Sequence, residues 1–146
     1  KYAEKEITKL KKNHIKICIG RIFSFTDKSQ KKPFVIPSII NKLKKNKSKN
    51  ITLQNLNHYR DFISTRNIIK VIFKLYKSKS TGVFNIGSGQ KINLKNIALL
   101  LGKKYKKNIT FLDNKYPSYL ISDNKKIIKK KIKFKHFRNN LDFFYK

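Results

Sequence analysis

Two kinds of apolar pattern alternate along this chain, and the alternation restricts the folds open to it. Residues 15–23 are rich in β-branched side chains and almost continuously apolar, which predicts a strand buried on both faces. Shorter strand candidates lie at residues 51–53, 61–64, 83–86 and 109–112. Between them, Ile, Leu and Val recur at helical spacing. Strands that alternate with helices predict an α/β fold with parallel strands.

The predicted helices have recognisable starts and stops. We predict one over residues 2–12 and another that starts around Pro37, a residue that a first helical turn tolerates. Asn67 and Asn93 each precede a further helical pattern, and an asparagine side chain can cap a helix by accepting a backbone N–H. Gly82 is expected to release the chain into the strand that follows.

Polar residues collect where two of the predicted strands end, and ligands of parallel α/β sheets bind outside such strand ends. Residues 21–26 close the first long strand, and Phe84-Asn85-Ile86-Gly87-Ser88-Gly89 leads a later strand into a glycine turn. Between these two segments, Arg60-Asp61-Phe62-Ile63 supplies a permanently charged guanidinium. Such a fork can hold two oxygens of an anionic group at once. The alternative for Arg60 is an ion pair with the neighbouring Asp61.

The formal net charge of the 146 residues is +30, and lysine supplies most of the positive charge. Arginine, which recognises phosphates and bases through a planar fork, accounts for four of the 37 basic residues. Lysines cluster at residues 42–49, 103–107 and 125–133 but occur throughout the chain. One interpretation is a compositional bias carried on solvated surface. The other is an electrostatic field that attracts nucleic acid or an anionic membrane surface, and both interpretations favour anionic ligands.

The cysteine, the histidines and the hydropathy of the chain bear on disulfide bonds, metal sites and membrane spans. Cys18 is the one cysteine, so no intramolecular disulfide can form, and its apolar surroundings predict a buried thiol in a protein of the reducing cytoplasm. His14, His58 and His136 are scattered, so no metal site is predicted. No run approaches about 18 apolar residues, which argues against a membrane-spanning helix. The first residues are typical of the middle of a helix cut from a longer chain.

Taken together, these residues resemble the C-terminal half of an extended short-chain dehydrogenase/reductase, the family of nucleotide-sugar epimerases, dehydratases and reductases. Five blocks match in the family's order: Ala3-Glu4-Lys5, Arg21-Ile22-Phe23-Ser24, Val35-Ile36-Pro37, Arg60-Asp61-Phe62-Ile63 and Phe84-Asn85-Ile86-Gly87-Ser88-Gly89. Leu53-Gln54-Asn55-Leu56 and Thr65-Arg66-Asn67 are similar to the same segments of GDP-mannose-type dehydratases and 4-keto-6-deoxyhexose reductases.

The resemblance implies the C-terminal part of a Rossmann-like parallel-sheet domain together with a small α/β substrate-binding region. It assigns residues 1–34 and 67–107 to the Rossmann-like elements. It assigns residues 35–66 and 108–135 to the substrate-binding region, and residues 136–146 to a tail.

The resemblance also implies hydride chemistry at a sugar carbon, with NAD or NADP as cofactor and a Tyr-x-x-x-Lys pair that handles the proton. The chain departs from that pattern, because Tyr2 has Glu6 four residues later. Lys1, placed by counting back from Glu4, is the candidate for the catalytic and ribose-binding lysine. The glycine-rich dinucleotide loop is missing as well, and Gly87-Ser88-Gly89 does not replace it. We therefore expect the isolated chain to be inactive.

The substrate-binding roles implied by the resemblance fall on five residues. Arg60 would reach the diphosphate of a nucleotide sugar, and Ser24 would stand where relatives carry an asparagine that bonds the phosphate or sugar. The backbone from Val35 to Pro37 would line the base. Lys115 would compensate for an arginine that relatives carry in an Arg-Pro-Gly-Asp turn. Outside this set, Asn85 is expected to tie its strand end to a loop, and Arg21 makes either a ligand contact or a structural salt bridge.

Three functions remain open from the sequence. The first is the substrate-binding part of a nucleotide-sugar epimerase, dehydratase or reductase, an isomerase, lyase or oxidoreductase that needs an N-terminal half and is a homodimer at full length. The second is a non-enzymatic, lysine-rich α/β module that binds nucleic acid. The third is a truncated pseudo-enzyme.

Overall fold

Helices and strands alternate in the computed structural model, which describes residues 2–9, 15–27, 29–113 and 116–134. The predicted α/β class is therefore confirmed. Two residues with predicted roles, Lys1 and Lys115, lie outside the described residues. In chain order the elements are α1 (Tyr2–Lys9), β1 (Cys18–Ile22), β2 (Phe25–Thr26), α2 (Val35–Lys45), β3 (Asn50–Gln54), β4 (Tyr59–Arg60), β5 (Ile63–Ser64), α3 (Thr65–Lys77), β6 (Gly82–Ile86), β7 (Ile92–Asn93), α4 (Leu94–Lys104), β8 (Asn108–Leu112), β9 (Tyr119–Leu120) and α5 (Lys125–Lys129).

Most strand pairs are parallel, as predicted. β1 pairs with β6, β2 with β5 and β3 with β8, all in parallel register. β4 lies between β9, to which it is parallel, and β7, to which it is antiparallel. Ile22 faces Ile86 at the carboxyl ends of β1 and β6, so the segments that follow both strands leave the sheet side by side.

One hydrophobic cluster joins α2, β3 and α4. Ile36, Leu43, Ile51 and Ile97 are nearly inaccessible to solvent within it. Burial of side chains of this size stabilises the fold by about 1.5–3 kcal/mol each. Although α4 belongs to the segment 67–107 that the resemblance assigns to Rossmann-like elements, it packs here against α2 and β8.

A second cluster forms between α3, β6 and α5. Val71 and Leu75 of α3 and Ile127 of α5 are buried in it. The predicted start of α3 is wrong, because the cap is Ser64 and not Asn67: the Ser64 side chain accepts the backbone N–H of Asn67 at 3.3 Å. Serine caps as well as asparagine does, and the helix therefore begins one turn earlier.

Three other predicted features of the helices and strands agree with the structure, whereas the strand predicted over residues 61–64 is replaced by the two short strands β4 and β5. The Asn93 side chain accepts the Lys95 N–H at 2.8 Å and caps α4, as predicted. Pro37 lies in the first turn of α2. Gly82 opens β6 with φ of +98°, a value that glycine adopts more readily than any other residue. Within the described parts of the chain, no helix is both long and apolar enough to cross a membrane.

The prediction that residues 15–23 are buried on both faces is wrong. Ile22 is 46% exposed, and Cys18, expected to be buried, is exposed too. The reason is the position of β1: of the described strands only β6 pairs with it, so its other edge is open. A groove of about 530 Å³ runs beside it, lined by apolar side chains that include Ile72 and Leu75 of α3.

Candidate functional site

A cleft of about 470 Å³ lies where the chain leaves β1, and it brings four predicted site residues together. Ser24, Val35, Pro37 and Arg60 all line it, although they come from three separate segments of the sequence. We call it the Arg60 cleft. Its other lining residues are mostly apolar, with a few amides and one imidazole: Phe23, Phe25, Thr26, Gln30, Phe34, Ile36, Asn55, Leu56, His58, Phe62 and Leu94.

The walls of the Arg60 cleft are fixed by main-chain contacts. The Ser24 carbonyl accepts the Ile63 N–H at 2.9 Å, which ties the segment after β1 to the start of β5. Val35 begins α2, and Phe34 before it is 54% exposed at the rim of the cleft. A large exposed aromatic ring beside a helix start offers a flat apolar surface to a ligand.

The Arg60 guanidinium is held by its own strand and by Ser118, the residue before β9. Its Nη1 donates to the Tyr59 carbonyl at 2.8 Å and to the Ser118 carbonyl at 3.1 Å, and Nη2 donates to Ser118 Oγ at 3.1 Å. Asp61 is directed elsewhere, because successive residues of an extended chain point to opposite sides. The ion pair with Asp61, the alternative for Arg60 in the sequence, is therefore not what the structure shows.

His58 completes the surroundings of Arg60. Its Nδ1 accepts the Ser118 N–H at 3.1 Å and lies 3.1 Å from Ser118 Oγ. No role for His58 or Ser118 was predicted from the sequence. His58 was detectable, because it precedes Arg60 by two residues and side chains two apart in a strand share a face. Ser118 was not detectable, since 58 residues separate it from Arg60.

The opposite face of β4 carries an aromatic stack. The Tyr59 and Tyr119 rings lie 4.8 Å apart and within 8° of parallel. The Lys91 ammonium lies 4.4 Å from one ring centroid and 4.6 Å from the other. Stacking and cation–π attraction thus join β4 to β9 on the side away from His58 and Arg60.

Asp61 is fully buried and joins the two motifs that the sequence singled out. Its Oδ1 accepts the Ser88 N–H at 2.9 Å and the Ser88 hydroxyl at 2.5 Å. Its Oδ2 accepts the N–H of Gly89 at 2.9 Å, and the N–H and hydroxyl of Ser122 at 3.3 and 2.5 Å. Each of the two oxygens thus accepts at least one backbone N–H and one serine hydroxyl. The structural role predicted for Asp61 is confirmed.

This network also determines where the backbone N–H groups of the glycine turn are directed. The backbone N–H groups of Ser88 and Gly89, which a phosphate-binding loop would direct at its ligand, are directed at Asp61. The turn is therefore an internal joint, in which these two N–H groups donate to Asp61. Among the described residues, no group of three His, Cys, Asp or Glu side chains could hold a metal ion.

Arg21 and Asn85 hold neighbouring elements in place. Arg21 forms a bidentate pair with Glu4 of α1, at 2.7 Å from Nε and 2.5 Å from Nη2. The hydrogen bonds to Glu4 raise the pKa of the Arg21 guanidinium further. Of the two roles left open for Arg21, the structure shows the salt bridge. Asn85 Nδ2 donates to the Asp123 carbonyl at 2.9 Å, which confirms its predicted link to a loop.

Asp113 fixes the loop that leads into β4. Its Oδ2 lies 2.5 Å from the Lys95 ammonium, and its Oδ1 accepts the N–H groups of Leu56 and Asn57 at 3.1 and 3.2 Å. The hydrogen bond from Lys95, helped by those two N–H groups, lowers the pKa of the Asp113 carboxyl below its usual value. Asp113 thereby connects α4 to the wall of the Arg60 cleft.

We expect the stabilisation supplied by Asp113 to be pH-dependent. Because its pKa is lower in the folded chain than in the unfolded one, this contribution is present above the usual Asp pKa of about 3.9 and is lost as the pH falls through the folded value. Urea unfolding of the protein and of Asp113→Asn, measured at neutral pH and again in acid, checks this. The protein should be the more stable at neutral pH, and the gap should close in acid. An equal gap at both pH values would contradict the assignment.

Comparison with known proteins gives the same picture. A family model described as GDP-mannose 4,6 dehydratase matches residues 1–144. No curated protein sequence matches the chain. Its fold is similar to that of UDP-glucuronic acid 4-epimerase from Bacillus cereus, solved as a variant with a UDP-sugar and NAD: the TM-score is 0.75 at 20% identity, covering 94% of this chain and 46% of the epimerase.

Two further solved structures have a fold similar to that of this chain. UDP-N-acetylglucosamine 4-epimerase from Methanobrevibacter ruminantium gives a TM-score of 0.69 at 18% identity, over 92% of this chain and 45% of the epimerase. RMD from Pseudomonas aeruginosa, complexed with NADPH, gives 0.69 at 16% identity, over 84% and 44%. The chain thus spans less than half the length of each solved structure. Because the family match extends over residues 1–144, this chain belongs to the GDP-mannose 4,6-dehydratase family, among the NAD-dependent nucleotide-sugar epimerases and dehydratases.

Proposed function

We propose that this chain is the substrate-binding part of an NAD(P)-dependent nucleotide-sugar epimerase or dehydratase, and that the Arg60 cleft takes the nucleoside diphosphate. The observation that supports the proposal is that residues predicted separately lie together in the structure. Ser24, Val35, Pro37 and Arg60, which a family resemblance singled out one by one, line a single cleft of about 470 Å³. That volume lies within the range of about 300–1,000 Å³ usual for small-molecule sites.

The hydrogen bonds of Arg60 support a phosphate ligand. A guanidinium has five N–H donors, and the contacts to Tyr59 and Ser118 use both on Nη1 and one on Nη2. Among the described residues no acceptor takes the N–H of Nε or the second N–H of Nη2, so both can donate to a ligand. These two donors lie side by side on one edge of the planar group, which is the geometry that binds two phosphate oxygens at once.

The rest of the cleft suits a nucleotide. Phe25 and Phe34 are partly exposed rings that can pack on a base or a sugar. Ser24 can donate one hydrogen bond to a phosphate or sugar oxygen. Val35 and Pro37 would line the base from the first turn of α2. Lys115, just before the described β9 segment, would add a second positive charge near the diphosphate.

The hydride chemistry would need groups from elsewhere. NAD or NADP would bind to a glycine-rich strand–turn–helix, with a tyrosine beside the lysine for which Lys1 is the candidate. The open edge of β1 and the apolar groove of about 530 Å³ beside it support such a complement, because another strand could pair there. In this proposal residues 1–34 and 67–107 extend the Rossmann-like sheet, and residues 35–66 and 108–135 hold substrate. A homodimer and a cytoplasmic location are expected for the full-length protein.

Replacing Arg60 by Ala should weaken GDP binding by at least about 10-fold, because each of its two charge-assisted hydrogen bonds to the ligand would contribute about 1.5–3 kcal/mol. Titration calorimetry with GDP on the 146-residue chain measures this. Arg66→Ala is the matched control, since Arg66 lies on the exposed side of α3 and outside the cleft lining. Equal GDP affinity for the protein and Arg60→Ala would refute the assignment of the site.

The lysine-rich surface supports nucleic-acid binding as a second candidate. A second cavity of about 640 Å³ is lined by Lys31, Lys32, Lys44 and Lys104. A protein that binds nucleic-acid phosphates through such lysines loses affinity steeply as the salt concentration rises. It also shows no preference among bases. A nucleotide-sugar site instead discriminates among GDP, UDP and dTDP at constant salt. Titrating these three nucleotides and a single-stranded oligonucleotide at two salt concentrations separates the two functions.

A further inference from the structure

We propose that Ser118 and His58 are positioning residues, which hold the Arg60 guanidinium so that its free edge faces the diphosphate. The proposal rests on the function proposed above, because it takes Arg60 as the phosphate-binding group. Neither residue belongs to the sequence blocks that carry the family resemblance, and the contacts among the three side chains are its basis.

The hydrogen bonds among the three residues run in one direction. His58 Nδ1 lies 3.1 Å from both the N–H and the Oγ of Ser118. Since the backbone N–H can only donate, Nδ1 must be the acceptor, and the imidazole carries its proton on Nε2. The Ser118 hydroxyl then donates to the same nitrogen and leaves its lone pairs to Arg60 Nη2 at 3.1 Å. His58 therefore sets the direction in which Ser118 accepts.

The main chain keeps Ser118 in this position. Its carbonyl accepts two donors, the Tyr59 N–H at 2.8 Å and Arg60 Nη1 at 3.1 Å. Oγ and the carbonyl of Ser118 thus contact the two terminal nitrogens of Arg60, one each. Beyond Ser118, the stack of Tyr59 on Tyr119 ties the same segment to β4. An exposed serine just before β9 is in this way held against β4 and His58.

The consequence for binding is preorganisation. An arginine that is free in solution must be ordered when it takes a phosphate, and ordering a flexible side chain lowers affinity. Here the end of the guanidinium is ordered before a ligand arrives. The planar geometry then fixes the direction of the remaining Nε and Nη2 donors. Ser118, which is not among the lining residues of the Arg60 cleft, would influence affinity without touching the ligand, and His58 would act through it.

The test uses paired variants of the 146-residue chain and calorimetric titration with GDP. Ser118→Ala removes the acceptor and should weaken GDP binding about 3- to 10-fold, since one ordered side chain is lost. Ser118→Thr keeps a hydroxyl and should restore affinity. His58→Leu should weaken binding like Ser118→Ala, whereas His58→Asn offers an oxygen near the position of Nδ1 and should retain it. Ser48→Ala, at an exposed serine before β3, is the control and should match the protein.

A second measurement follows the guanidinium itself without any ligand. The chain has four arginines, so their Nε–H signals can be resolved and their mobility measured by ¹⁵N relaxation. Arg60 should be more rigid than the exposed Arg66 in the protein, in Ser118→Thr and in His58→Asn. Its rigidity should be lost in Ser118→Ala and His58→Leu, a change that a general loss of stability would not confine to Arg60.

The outcomes separate the two proposals. If Arg60→Ala binds GDP like the protein, the proposed function fails. If Arg60→Ala weakens binding but Ser118→Ala neither weakens it nor frees the guanidinium, the positioning role alone is overturned. If Ser118→Ala weakens GDP binding by an equal factor in the Arg60→Ala background, Ser118 acts independently of Arg60, and the inference is again wrong.

Discussion

Asp61→Asn should lower the free energy of unfolding by about 2–4 kcal/mol, because it leaves buried N–H donors without an acceptor. Asn keeps the shape of Asp but replaces one oxygen by an NH₂ group. If that group takes the place of Oδ1, it faces the N–H of Ser88. If it takes the place of Oδ2, it faces the N–H groups of Gly89 and Ser122. The serine hydroxyls can rotate to accept, but a backbone N–H cannot.

Urea unfolding followed by circular dichroism measures the change, with Asp123→Asn as the matched control. Asp123 is exposed, and its pair with Lys125 is long, at 3.8 Å. Its replacement should change stability by less than about 0.5 kcal/mol. Equal losses for the two variants would mean that the buried network contributes nothing specific.

Gly87→Ala should destabilise the fold by about 1–3 kcal/mol through overpacking of the same joint. A Cβ at this position would collide with Ser122 Oγ and would lie 2.5 Å from Asp61 Oδ2. Neither atom can withdraw, because the hydrogen bond between them fixes both at 2.5 Å. The backbone of the glycine turn must move instead, and the Asp61 contacts lengthen with it.

Gly20→Ala is the matched control for Gly87→Ala. A Cβ on Gly20 would lie 2.6 Å from Ile86 Cδ1, which is the end of a flexible side chain beside an open groove. Although Ile86 is buried, its Cδ1 lines the groove and can shift toward it, so the loss should be smaller than at Gly87. The same urea unfolding measures both variants. A loss at Gly20 as large as that at Gly87 would show that the Asp61 joint is not rigid.

The general architecture and the main residues of the cleft were predictable from the sequence. The period and the order of the apolar runs predicted parallel strands. Because ligands of parallel α/β sheets bind at the carboxyl ends of the strands, the sequence also predicted where a site would form. Family blocks then indicated Ser24, Val35, Pro37 and Arg60, which the structure places on one cleft. Each of these predictions depends on local pattern or on a motif written in consecutive residues.

What could not be predicted depends on which segments meet. Ser118 approaches Arg60 because β9 pairs with β4, and no local pattern marks that pairing. Cys18 lies in an apolar run that would be buried in a central strand but is exposed on an open edge. Ser64 and Asn67 are both good caps, and only the path of the chain out of β5 decides between them. Tertiary contacts settle all three cases.

Among the described strands only β6 pairs with β1, and the excess of lysine affects how the open edge of β1 behaves in solution. A strand with one unpaired edge is a template on which identical chains can pair and aggregate. A net charge of +30 on 146 residues opposes this by mutual repulsion over a distance of about 10 Å at 0.1 M salt. Added salt shortens the range of this repulsion but leaves the open edge of β1 unchanged. Salt would therefore weaken the repulsion that opposes pairing at this edge of β1.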